Sequence, residues 1–319
     1  MARVAVLRGG HSMERDVSFL TGRRVQHALE RLGHEVHPLD IEDDTTDALM
    51  RNSPDAAFVC LHGPGGEDGT VQALLETLGI PYTGSGPLSS IRCMDKDYAK
   101  RALRAAGLPT PPFRTFLKRA MSEMGAAAAL GTAADSVGYP LAVKPAREGS
   151  GLGLTRVEEP NALLEAVYEA FGYDSKILLE HWVSGSEVSI PILEPAGEAA
   201  RALGLVEIRP RGGEYDFEAK YTPGATDFAI PAEIPPETAV RLEETALAAY
   251  DALGCSSFAR VDTIVDEDGE TWILDAKTIP GFTETSTLPL AAEAAGIPFE
   301  DLVETILNAA LRGVDGGKL

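Results

Sequence analysis

Four charged residues, Arg260, Asp262, Asp275 and Lys277, form the densest group of chemically capable side chains in the chain. Apolar runs at 261–265 and 271–274 flank Asp266-Glu267-Asp268-Gly269, and Asp-Gly between two such runs is a strong hairpin signal. With Asp268-Gly269 as a two-residue turn, Asp262 faces Asp275 and Arg260 faces Lys277. Side chains alternate along strands, so all four point to one side. Two opposed carboxylates repel unless something compensates them. A divalent metal such as Mg²⁺, which takes carboxylate and phosphate oxygens together, is one compensation. A structural ion cluster closed by Arg260 and Lys277 is the other, and the hairpin alone favours neither.

Anion chemistry is the theme of the neighbouring motifs. The loop at 278–286, punctuated by Pro280 and Gly281, offers backbone N–H groups and hydroxyls beyond the end of a strand. Lys144 interrupts the apolar run 141–145, and a buried lysine needs an anion beside it. Ala146-Arg147-Glu148-Gly149-Ser150-Gly151-Leu152-Gly153 follows, with glycines at alternate positions that let the backbone donate to phosphate oxygens. It is no Walker loop, because Gly-Lys-Ser/Thr and a following helix are both missing. Glycines at a hairpin tip also serve turn geometry. By spacing alone, the glycine-rich 62–69 reads as a strand-to-helix turn and His62 as a structural histidine.

Arg260-Val261-Asp262, Asp275-Ala276-Lys277-Thr278 and Pro280-Gly281-Phe282-Thr283 resemble the metal and oxyanion segment of the D-alanine–D-alanine ligases, within the ATP-grasp superfamily. The strand lysine with its glycine-rich lid resembles the same superfamily, and six separated motifs in order extend the resemblance over essentially the whole chain. It implies an α/β (α+β) ATP-grasp fold preceded by a Rossmann-like pre-ATP-grasp domain, with ATP between the central and C-terminal subdomains. The implied reaction phosphorylates the carboxylate of one D-alanine at the expense of ATP. The amine of a second D-alanine then displaces phosphate, giving the dipeptide for peptidoglycan precursors.

The resemblance also implies roles. The loop with Ser12, Glu14 and Arg15 and the loop 62–69 both resemble first-substrate loops, in which Glu14 holds the first substrate's ammonium with His62 and Ser150 close by. Lys96, Lys144, Glu148, Gly149 and Ser150 attend the nucleotide phosphates; Glu180, Trp182 and Val183 attend the adenine; and Glu187 attends the ribose. Lys220 serves phosphate and, with Ser286 and Thr287, the second substrate's carboxylate. Tyr221 matches the tyrosine of dipeptide-forming members, and Arg260 with the Gly281 N–H serves the oxyanion. Asp262 and Asp275 are the implied ligands of Mg²⁺ (or Mn²⁺), and a homodimer is implied as well.

This chain departs from the family at Asp275-Ala276-Lys277, where Glu-x-Asn is usual, and at His181, where lysine is common. Asp275 is one methylene shorter, and Lys277 has no lone pair to give. Fewer ions than usual and a stronger Mg²⁺ site in Lys277→Asn are therefore expected. Two alternatives stay open: a nucleotide-binding protein with weak or no ligase activity, and a ligase for another amino or hydroxy acid.

The elements that must position these residues fall into three expected domains. These are 1–86, an N-terminal α/β domain; 87–183, a central lid domain; and 184–319, with the metal site and an omega loop. Strands are expected at 3–7, 35–39 and 55–61 around a helix at 16–32, with a linker near 81–87. A helix at 88–106, strands at 141–145 and 154–157, a helix at 161–171 and a strand at 176–180 follow. Strands at 187–193 and 202–208 lead to an aperiodic polar stretch, 209–228, resembling the mobile loop that closes over the ligase site. Helices at 235–253, 291–295 and 300–312 complete the reading.

A chain of 319 residues, 44% hydrophobic and 24% charged, has the composition of a globular protein with more than one core. Its formal charge of −21 argues against nucleic acid or an anionic membrane as partner. Such a chain must concentrate its few cations where an anion binds, and Lys96, Lys144, Lys220 and Lys277 all fall in the motifs above. No signal peptide and no apolar run approaching the roughly 20 residues of a membrane helix is present, so a cytoplasmic location is expected. Cys60, Cys93 and Cys255 lack metal-ligand spacing, and Cys60 and Cys255 read as buried reduced thiols.

Overall fold

The computed structural model describes residues 1–42, 44–212, 219, 220, 222 and 224–313. The first segment runs β1 (Arg3–Arg8), α1 (Arg15–Arg31), β2 (Glu35–Asp40), α2 (Thr45–Asn52), β3 (Ala56–Val59) and α3 (Thr70–Leu78). Its sheet is parallel with order β2-β1-β3. Val4 to Leu7 and all of β3 are fully buried, the apolar run a parallel strand needs when both faces are covered. The polar loops after β1 and β3 leave the carboxyl ends of their strands, where doubly wound sheets hold ligands.

The helix expected at 88–106 is two helices, α4 (Pro87–Met94) and α5 (Lys96–Ala105). Asp95 between them is extended, at φ −88° and ψ 100°, and its carboxylate caps α5 by accepting from the Asp97 N–H. The Lys96 N–H donates instead to Ala146 O across the molecule, at 3.0 Å. That bond replaces a helical one and breaks the helix there. Cys93, Ala99 and Leu103 of this pair pack with Leu242, Tyr250 and Ile273 of the C-terminal segment.

The central segment contains β4 (Phe113–Leu117), α6 (Lys118–Glu123), α7 (Leu130–Val137), β5 (Leu141–Pro145), β6 (Thr155–Val157), α8 (Leu163–Tyr173) and β7 (Lys176–His181). Its antiparallel sheet has order β4-β7-β5-β6. Leu141, Val143, Ile177 and Leu179 meet α7 and α8 on one face. By alternation Lys144 and Glu180 occupy the other face.

The last segment holds β8 (Gly185–Leu193), β9 (Arg201–Ala202), β10 (Val206–Pro210), β11 (Thr226–Ala229), α9 (Pro236–Leu253), β12 (Phe258–Asp266), β13 (Thr271–Lys277), α10 (Thr287–Ala294) and α11 (Phe299–Gly313). Among the described residues its sheet reads β11-β10-β8-β12-β13, with β9 on β8. The strand expected at 202–208 is split because Gly204, at φ +131°, turns the chain out of β geometry. The ends of the aperiodic 209–228 are strand arms, pairing Arg209 with Asp227 and Pro210 with Thr226.

The central hairpin turns differently from expectation. Asp266 and Glu270 close a three-residue turn with Gly269 at φ +78°, and the tip pairs Val265 with Thr271. The Asp266 carboxylate holds the turn by accepting from the Asp268 and Glu270 N–H groups and Trp272 Nε1. The register shifts again between Asp262 and Thr263, with Leu274 as the extra residue of a bulge. The two irregularities cancel, so Asp262 does face Asp275 and Arg260 does face Lys277.

Each sheet lies within one expected segment, and so does the core of the central one, but the other cores cross the boundaries. Leu288, Leu302, Val303, Ile306 and Leu307 share one cluster with Val4, Val6, Val25, Phe58, Phe258 and Phe282.

Candidate active site

One cleft gathers most of the predicted residues: Glu14, His62, Lys96, Lys144, Glu148, Gly149, Ser150, Glu187, Lys220, Arg260, Asp262, Asp275, Lys277, Gly281, Ser286 and Thr287. Glu180, Trp182 and Val183 do not border it. Tyr221 lies outside the described residues.

Glu14 is the residue before α1 and is 7% exposed. Ser150 Oγ donates to its Oε1. A Cβ on Gly63 or Gly149 would each sit 3.0 Å from its Oε2, so two loops need glycine to admit this carboxylate. The glycine-rich lid makes two successive turns, Leu152 N–H to Gly149 O and Leu154 N–H to Gly151 O. Burial lowers the pKa of His62, leaving a neutral imidazole whose Nε2 lies 3.2 Å from Thr21 Oγ1.

Lysines line the cleft between its carboxylates. Lys96 Nζ donates to Glu148 O at 2.6 Å and lies 3.7 Å from Asp275, while burial pulls its pKa down. Lys144 pairs with Glu180 at 2.9 Å. Glu180 is 2% exposed and also meets the buried Lys100 at 2.8 Å, so its side chain braces the Lys144 strand. Burial raises the Glu180 carboxyl, but Lys100 and Lys144 outweigh it and the net shift is downward. Lys220 is pushed down to about 8 by burial, with Arg260 adding repulsion.

The opposed aspartates are each compensated. Arg260 Nε donates to Asp262 at 2.8 Å, and Ser189 Oγ donates to the same carboxylate at 3.0 Å. Asp275 accepts from the Ala276 N–H at 3.0 Å. Burial raises the Asp275 carboxyl, but Lys96 and Lys277, then Lys144 and Arg260, bring it below its ordinary value. Lys277 does not close a four-residue cluster; its Nζ reaches Glu67 at 3.4 Å. Burial opposes that ammonium, yet Glu67, Asp275 and Glu14 more than offset the penalty and raise its pKa. Lys277→Asn, expected to strengthen the Mg²⁺ site, would also strand Glu67, a carboxylate only 4% exposed.

Among the described residues no group of three or more His, Cys, Asp or Glu side chains is placed to hold a metal. Mg²⁺ commonly takes one or two carboxylates plus substrate phosphates and water, so Asp262 and Asp275 fit an ion arriving with a nucleotide. Lys277 fits no ion. At the far end, Thr283 N–H donates to Ser286 Oγ at 3.1 Å, and Ser286 begins α10, whose first turn faces the cleft through Thr287. Val188, Ile208 and Leu274 supply an apolar wall.

Glu67 and Lys100 are the functional neighbours that sequence reasoning missed. Lys100 stands four residues after Lys96 on one helix face, a spacing that could have flagged it. Glu67 sits in a loop whose glycines read as turn geometry. Cys60 is buried as expected, whereas Cys255, also expected to be buried, is partly exposed; Cys93 is buried.

The three-part α/β architecture and its cation-lined cleft have the ATP-grasp fold. The family profile described as "D-ala D-ala ligase C-terminus" matches residues 102–308, and "D-ala D-ala ligase N-terminus" matches 43–85. D-alanine–D-alanine ligases of Geotalea uraniireducens and Geobacter sulfurreducens are each 44% identical, over 97% and 98% of this chain and 95% and 96% of theirs. The Bacillus anthracis D-alanine–D-alanine ligase complexed with ATP superposes with a TM-score of 0.82 at 33% identity, covering 99% of both chains. The VanG D-Ala:D-Ser ligase of Enterococcus faecalis gives 0.81 at 30%, covering 97% of this chain and 99% of that one. The chain belongs to the D-alanine–D-alanine ligase family.

Proposed function

We propose that this enzyme joins two D-alanines at the expense of ATP, through an acyl phosphate, for peptidoglycan precursor synthesis. The observation that carries the reading is the placement of Glu14 and Ser150, the lysines Lys96, Lys144 and Lys220, and the Asp262–Asp275 pair around one cleft. A carboxylate is a poor electrophile, so the site must neutralise phosphate charge, hold two zwitterions and stabilise an oxyanion.

Glu14 takes the ammonium of the first D-alanine, steadied by Ser150, while neutral His62 packs beside it without adding charge. Lys96 and Lys144 hold the phosphates beneath the lid at 146–153, and the apolar wall accepts the base. Asp262 and Asp275 would hold a Mg²⁺ arriving with the phosphates, and the ion would supply further charge neutralisation. Arg260 and the Gly281 N–H face the developing oxyanion. Ser286 and the first turn of α10 receive the carboxylate of the second D-alanine, together with Lys220. The central segment 87–183 acts as the lid, between the segments 1–86 and 184–319.

No helix among the described residues is long and apolar enough to cross a membrane. A cytoplasmic homodimer taking only small-molecule substrates is part of the same proposal, and light scattering reads its mass. The central test is phosphate release from MgATP with and without D-alanine, followed by product identification with D-serine and D-lactate as competing second substrates. D-alanine is expected to stimulate release and to yield D-alanyl-D-alanine as the main product. Unstimulated release, or none, would sink the ligase reading.

A further inference from the structure

Two thiols meet where α4 packs on the end of α9. Cys93 Sγ lies 3.8 Å from Cys255 Sγ, van der Waals contact between residues separated by 162 positions. Cys93 is 2% exposed, in the last turn of α4, while Cys255 is partly open to solvent in the loop leaving α9. The surroundings of Cys255 favour a thiolate. Ser89 Oγ donates to its sulfur at 3.7 Å, and the Arg92 guanidinium is held beside it by the carbonyls of Ala252 and Leu253. The hydrogen bond from Cys93 lowers the Cys255 pKa against the opposing effect of burial, and Ser89, Ser85 and Arg92 add to the lowering. Cys60 is remote from this arrangement in kind, fully buried with its thiol pushed up by desolvation.

A partly exposed thiol beside a positive charge, with a second thiol in contact behind it, is the arrangement of a reacting and a resolving cysteine. We propose that Cys255 and Cys93 form a peroxide-responsive thiol pair that closes to an intramolecular disulfide. The Cys255 thiol loses its proton and the thiolate attacks the terminal OH oxygen of a hydroperoxide; the O–O bond breaks, leaving Cys255 sulfenic acid, and the departing oxygen takes that proton from solvent to leave as water or an alcohol. The Cys93 sulfur then attacks the Cys255 sulfur, the S–O bond breaks, and the oxygen leaves as water with the Cys93 proton. The peroxide is reduced by two electrons and the two thiols are oxidised by two. The sulfurs need approach only from contact to about 2.05 Å. The link would fasten the end of α4, three residues before the cleft-lining Lys96, to the loop ahead of β12.

The test uses the full chain, reduced, freed of reductant and treated with hydrogen peroxide at mildly alkaline pH. Intact mass should fall by two hydrogens, two of the three thiols should become unreactive, and peptide mapping should join Cys93 to Cys255. The unfolding midpoint should rise by about 5 °C or more, because a long loop is closed in the unfolded chain. In Cys93→Ser the protein should instead gain one or two oxygens at Cys255, and in Cys255→Ser it should resist oxidation. The proposal is overturned if wild type gains oxygens at Cys255 without losing hydrogens, stays unmodified, or links between chains. Peptide mapping of wild type decides the matter even if a variant does not fold.

Discussion

Removing the Lys277 ammonium is the sharpest perturbation that the cleft offers. Lys277 and Glu67 are 14% and 5% exposed at their side chains and 3.4 Å apart, with Asp275 and Glu14 also acting on the same cation. Lys277→Met therefore leaves several carboxylates facing one another without their shared counter-ion. Removing one partner of a buried pair costs about 3–5 kcal/mol. An unfolding entropy of about 2.1 cal/mol/K per residue, taken over a chain of this length, makes that a fall of about 5–8 °C in the unfolding midpoint. The loss must depend on pH with a definite sign. Acid discharges the stranded carboxylates and so removes the cost of leaving them buried without a counter-ion, and the variant is least impaired at low pH. Its deficit grows as the pH rises towards neutrality. Adding Glu67→Gln should recover most of the loss at neutral pH and little of it in acid. Calorimetry of wild type, both single variants and the double variant at about pH 5 and pH 7.5 checks this. A single Lys277→Met variant within about 1 °C of wild type, or a double variant no better than that single one, would refute the counter-ion argument.

Gly281 and Lys220 allow two further tests. A Cβ at Gly281 would lie 2.6 Å from Ser286 Oγ, which Thr283 holds in place. Gly281→Ala should raise the KM for D-alanine about tenfold or more while leaving the unfolding midpoint nearly unchanged; an unaltered KM would count against this loop as a substrate contact. Burial holds Lys220 near 8, so its ammonium is lost as the pH rises through that value. The free-enzyme kcat/KM for ATP should fall above about pH 8 and the fall should move upward in Lys220→Arg; an unshifted alkaline limb would assign it to another group.

What the sequence made legible was whatever depended on neighbours along the chain. The pairing of Asp262 with Asp275 was readable from alternation and an Asp-Gly turn, although a longer turn and the Leu274 bulge reach it by another route. The break at Asp95 was not readable, because its cause is a hydrogen bond to Ala146 O far along the chain. The partner of Lys277 was misplaced for the same reason: Glu67 is 210 positions away, in a loop whose resemblance pointed to His62 and not to Glu67. Trp182 and Val183 show the reverse case. Their positions were recognised by resemblance, yet the cleft as it stands does not include them.

The ring of Phe282 gives the molecule its mechanics. It stands edge-on to Phe58 of β3, Phe258 of β12 and Phe299 of α11, at 5.7, 5.7 and 6.5 Å between centroids. Arg24 of α1 donates to its carbonyl at 2.8 Å and lies over Phe299. The loop carrying Gly281 and Ser286 is thus bolted to the first sheet as firmly as to the last, and those two parts share one core. The central sheet keeps a core of its own and meets the rest largely through polar links, such as Lys176 to Asp95 and Asp97 and Lys96 to Glu148. The central sheet is therefore joined to the rest by charge and hydrogen bonds where the other two sheets are joined by shared aromatic packing.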